Sequence, residues 1–171
     1  MPWPWKKTTP YRELAVAAMN GALAIPLKDE PVFESFSTNT LEAVVALFWM
    51  VERSLHGLPR EKLELAGSSI MDELLQWFSQ DYSSAEVSTL VIPSFERRLE
   101  EYAALFQLRQ GEQPNAATLR TFKRVVENVF GEKEAHISRI TAAILLWWKP
   151  ISQEGARIVA LDKGGKVSWR E

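Results

Sequence analysis

Residues 137–148, ISRITAAILLWW, limit the fold more than any other stretch of the chain. From Ile140 onward the run has almost no polar face, and a helix that is apolar nearly all round is buried by its neighbours. The expectation is a bundle built around a central C-terminal helix spanning about 133–149 and stopped by Pro150.

The rest of the chain supplies helices to surround it. Pro2, Pro4 and Pro10 make residues 1–9 an extended tail, and Thr9-Pro10 opens a first helix that fades near Asn20-Gly21. Leu41, Val44, Phe48, Val51 and Leu55 recur with a 3.6-residue period, and Gly57-Leu58-Pro59 closes that helix. A short helix from Pro59 to Ala66 is expected to break at Gly67-Ser68-Ser69, with a new one starting at Ser69. Ser83 and Glu86 form a capping-box pair, followed by an apolar segment that Pro93 interrupts.

Phe95, Leu99, Tyr102 and Phe106 mark the next buried stripe. Beyond it, Asn115 reads as the cap of a helix that turns Leu119, Phe122, Val126 and Val129 inward and ends at Gly131. After Pro150 the character changes. Residues 157–161 and 166–169, joined by Asp162-Lys163-Gly164-Gly165, read as a β-hairpin within 156–171. The fold class expected is therefore all-α: one domain, a bundle of about six helices with a small C-terminal β-hairpin.

Composition excludes several functions. Without cysteine there is no thiolate catalysis, no disulfide and no Cys-based zinc site. A net charge of −2 gives no general attraction to nucleic acid. Residues 61–112 carry ten acidic against four basic side chains, a net −6, whereas 113–171 carry six against ten, a net +4. Acidic and basic helices facing each other inside one bundle account for this asymmetry. Arg120, Lys123 and Arg124 share one helix side, followed by Arg139 and Lys149, but Glu127, Glu132 and Glu134 dilute the patch, so it reads as a solvated face. No apolar run reaches the roughly 18–20 residues of a membrane span, and residues 14–27 read as a structural helix rather than a leader, which points to a cytoplasmic protein.

Both histidines follow a glutamate by four residues, Glu52/His56 and Glu132/His136. On a helix each pair shares a side, and two facing pairs would offer four nitrogen and oxygen ligands to zinc or iron. Carboxylate-bridged di-iron bundles use Glu-x-x-His at spacing three, so that family is not implied. The plainer explanation is helix-end electrostatics: His56 near a C-terminus, Glu132 and Glu134 near an N-terminus. No G-x-S-x-G elbow, P-loop or dinucleotide fingerprint occurs, so no cofactor is expected and binding is favoured over catalysis.

Seven tryptophans are the unusual feature. Trp49, Trp77 and Trp147 fit core stripes, while Trp148 points about 100° away from Trp147 and is expected at a boundary or interface. Trp3 and Trp5 in the tail either dock on the bundle, the favoured outcome, or reach a partner, with protein ranked above lipid; Trp169 in the hairpin is a further contact candidate. The function read from this is a non-enzymatic interaction module (an adaptor, assembly chaperone or immunity-like inhibitor) that contacts another protein or itself through Trp3, Trp5, Trp148 and Trp169. Two readings stand beside it: a metal-dependent enzyme or carrier using Glu52, His56, Glu132 and His136, and a helical carrier of a small apolar ligand.

Overall fold

The computed structural model describes residues 40–166, and over that span the fold is all-α, with five helices and no strand among the described residues. Helix α1 is Thr40–Ser54 and α2 is Arg60–Phe78. Helix α3 runs over 84–106, α4 is Pro114–Phe130, and α5 runs over 137–163. The expected tail, the first helix and Trp169 lie outside the described residues.

The central helix is α1, not the 137–148 run. Every residue from Glu42 to Val51 is buried, and α1 packs against α5, α3, α4 and α2. Its Val44, Val45, Ala46 and Met50 are sealed from solvent on successive sides of the helix. Each fully buried valine or methionine side chain among these contributes about 1.5–3 kcal/mol of transfer free energy. By contrast, Ile137 and Leu145 stay 59% and 52% exposed, so the 137–148 run is a peripheral helix with one buried side made by Ile140, Ala143 and Trp147.

One buried carboxylate is what makes α1 look unsuited to the centre. Glu42 accepts from Arg98 Nε at 2.8 Å and from Nη2 at 2.7 Å, a two-pronged pair that keeps its charge compensated inside the bundle. Arg98 also donates to Glu101 at 2.6 Å, and Glu101 in turn accepts from Arg124, so a chain of ion pairs links α1, α3 and α4. Glu42 and Glu101 together hold the Arg98 guanidinium well above its ordinary pKa, against the opposing effect of burial.

Neither Pro93 nor Pro150 ends a helix. In both places a π-helical turn, Val87–Val91 and Ile144–Trp148, ends two residues before the proline. Ile92 N–H reaches back to the Val87 carbonyl and Lys149 N–H to the Ile144 carbonyl. The widened turn makes room for a ring that would otherwise strike the carbonyl four residues back. The helix after Pro150 then continues to Lys163, so residues 157–161 are helical and the expected first hairpin strand does not exist.

Other expectations shift for local reasons. Gly67 does not break α2, which runs unbroken through Gly67-Ser68-Ser69. At α4 the cap is Gln113 rather than Asn115, because Pro114 takes the first helical position, where a missing N–H costs nothing. Leu119 is 39% exposed, while Phe122, Val126 and Val129 are buried as their spacing predicts. Two signals are borne out. Ser83 N–H donates to the Glu86 carboxylate at 2.8 Å while Ser83 Oγ accepts from Glu86 N–H at 3.3 Å, and Gly131 ends α4 in the left-handed conformation at φ 65°.

Candidate functional site

Trp49 is the hub from which the site is built. Its indole meets Phe106 edge-on at 5.3 Å, Tyr102 at 5.6 Å and Phe122 at 6.2 Å, and stacks on Trp148 at 6.1 Å with a 23° tilt. Contacts of this geometry add about 0.5–1.5 kcal/mol each beyond simple burial. The cluster joins α1, α3, α4 and α5 through one ring. Trp148, expected at an interface, is half-buried within it, and Trp147 lies on the other side of α5, stacked on Phe130 at 6.4 Å.

One edge of this cluster opens into a groove of about 490 Å³ between the C-terminal halves of α1 and α3. Its floor is apolar, made of Trp49, Leu99, Ala103 and Phe106. Its rim is polar: Glu52, Arg53 and His56 on the α1 side, Glu100 and Gln107 on the α3 side. Residues at i, i+3, i+4 and i+7 share a helix side, which is why Trp49, Glu52 and Arg53 face one space, joined by His56 from the turn after α1, and Leu99, Glu100, Ala103 and Phe106 face it from opposite. A smaller hollow of about 280 Å³ shares Arg53, Phe106 and Gln107 and extends to Leu108 and Pro114.

Electrostatics in the groove are uneven. Burial pushes the Glu52 carboxyl above its usual range, and the His56 imidazole one turn on opposes that rise. The Arg53 guanidinium lies 4.9 Å over the Phe106 ring, a cation–π contact that holds it across the floor. Volume, apolar floor and a few convergent polar groups are the attributes of a binding site. Among the described residues, no Ser, Thr or Lys side chain lines the groove.

The four residues considered for a metal are placed in different roles. Glu52 and His56 line the groove, whereas Glu132 is paired with Arg139. His136 caps α5, its Nδ1 accepting from Ser138 N–H at 3.3 Å. Among the described residues no three His, Asp or Glu side chains come together as a metal-binding group.

The basic side chains of α4 are likewise engaged. Arg120 donates to Glu112 and to the Leu105 and Gln107 carbonyls, stapling the α3–α4 loop, and its guanidinium holds the Glu112 carboxyl down at about 2. Arg124 pairs with Glu101 and Glu127, and Lys123 lies 3.7 Å from Glu134. This face is ion-paired rather than open to phosphates.

Sequence reasoning passed over Arg53, Leu99, Glu100, Ala103 and Gln107 as site residues. The signal was there in Ala103, a small residue flanked by Tyr102 and Phe106 on a helix that otherwise packs large side chains on this side. Among the described residues no helix is long and apolar enough to cross a membrane. Comparison with known proteins adds no relative: no family model matches the chain, and neither a curated protein nor a solved structure matches it.

Proposed function

We propose that the protein is a non-enzymatic interaction module, an adaptor, assembly chaperone or immunity-like inhibitor, and that the α1/α3 groove is where it takes hold of a partner. The observation that carries this is the groove itself: an aromatic and aliphatic floor, open to solvent, ringed by Glu52, Arg53, His56, Glu100 and Gln107. An open apolar trough with a polar rim suits a protruding side chain or a short helical segment of another protein. Trp3, Trp5 and Trp169, outside the described residues, are further contact candidates for this role. Trp148 supports it from beneath, as the ring stacked under Trp49.

The test is quantitative co-purification from cells that make the protein, comparing the wild type with Ala103→Trp. Ala103 is exposed on the groove floor, so a tryptophan there fills the trough without entering the core. A partner enriched with the wild type and lost with the variant supports the reading. An identical set of co-purifying proteins overturns it.

A further inference from the structure

The rim of the groove carries a carboxylate with an electrostatic vacancy. Glu52 is half-buried on the α1 wall, and among the described residues no hydrogen bond or salt bridge reaches its carboxylate; only the nearby His56 imidazole favours its charge. Across the groove stands Glu100, which also has no ion-pair partner among the described residues. The buried and half-buried carboxylates nearby are satisfied: Glu42 on α1, Glu101 on α3 and Glu112 in the loop after α3 each hold an arginine. Of the buried and half-buried acids on α1 and α3, Glu52 is the one left without an arginine, and the exposed Glu100 faces it across the groove.

The floor shows what kind of group it accepts. Arg53 spreads its guanidinium over Phe106 at 4.9 Å, so a planar cation already rests on this aromatic surface. Leu99 and Ala103 beside it offer room for an aliphatic stem. The α3 wall, residues 84–106, carries four acidic against two basic side chains, a net −2 that favours a basic segment.

Resting on the reading of the groove as a partner site, we infer that it takes a basic side chain of a partner protein. An arginine or lysine would lay its aliphatic stem along Leu99, Ala103 and Phe106 and bring its cation to Glu52 and Glu100. A carboxylate that is costly to bury alone is stabilised once a cation pairs with it, so binding strengthens Glu52's charged form and proton uptake by Glu52 weakens binding. Around Glu52 the charged groups from the packed elements are His56 and Arg53 on the α1 side and Glu100 on α3. Arg53 competes with the incoming cation, and its removal tightens binding.

Two blocked tripeptides, Leu-Arg-Leu and Leu-Glu-Leu, titrated into the full-length protein and followed by NMR, test this. The expected result is that the arginine peptide shifts the Trp49 indole and His56 signals while the glutamate peptide does not. Glu52→Gln and Glu100→Gln should each weaken the arginine peptide by about tenfold, with unchanged circular dichroism, as loss of a charge-assisted contact implies. If the glutamate peptide binds instead, through Arg53 and His56, the inferred side-chain class is overturned while the groove remains a binding site. If neither peptide shifts groove signals, both the class and the groove reading fall.

Discussion

Gly155 of α5 presses on Ser54 at the end of α1: a β-carbon on Gly155 would stand 2.3 Å from Ser54 Oγ and 2.6 Å from its carbonyl oxygen. No side chain fits there without moving backbone, and the α1–α5 contact depends on it. Gly155→Ala should destabilise the protein by about 1–3 kcal/mol, the range for forcing atoms into a packed site. Ser54→Gly added to it should recover only part, because the carbonyl clash remains. Urea denaturation of the wild type and these two variants measures this.

Gly67 predicts the opposite outcome. It sits inside α2 with nothing within 4 Å of where a β-carbon would go. Gly67→Ala should therefore stabilise by about 0.5–1 kcal/mol, through the lower backbone entropy of alanine in the unfolded chain. A fall in stability on denaturation would mean that α2 bends at this point.

Arg98→Met leaves Glu42 buried without its guanidinium. The expected loss is about 3–5 kcal/mol, the usual consequence of removing one partner of a buried pair. Adding Glu42→Met should return most of it, since two apolar side chains of similar length can replace the pair. A double variant no more stable than Arg98→Met would show that Glu42 has a separate role.

Two carboxylates set opposite pH trends. Glu112, held at about 2 by Arg120, contributes stability above the usual carboxylate range, and that contribution is lost as pH falls toward 2. Glu52 is raised by burial, so its ionisation opposes folding, and stability gained from it appears as pH falls through its titration. Glu112→Gln should flatten the acid limb of a stability-versus-pH curve. Glu52→Gln should raise the denaturation midpoint at pH 7 and leave it unchanged where Glu52 is already protonated.

Local signals were legible in the sequence because each is decided within a few residues: the Ser83/Glu86 box, the Gly131 cap, and the Phe95–Tyr102 and Phe122–Val129 stripes. Long-range arrangement was not. Glu42 makes α1 look amphipathic, and only Arg98, 56 residues away, explains how that glutamate lies in the core. The 137–148 run is more uniformly apolar, yet Ile137 and Leu145 face solvent, because hydrophobicity states what burial would gain and not which helix receives it. Pro93 and Pro150 misled for a related reason, since a π-helical turn is invisible to a 3.6-residue period. The groove needed two helices brought side by side, and neither carries a motif for it.

The most direct test of the groove as the contact site is photo-crosslinking in cells that make the protein. A photoreactive phenylalanine at position 103, on the groove floor, is compared with one at position 133, in the exposed turn between α4 and α5. The account predicts a discrete adduct from position 103, suppressed by Glu52→Gln, and none from 133. Adducts equal at both positions, or an adduct from 133 alone, would contradict it.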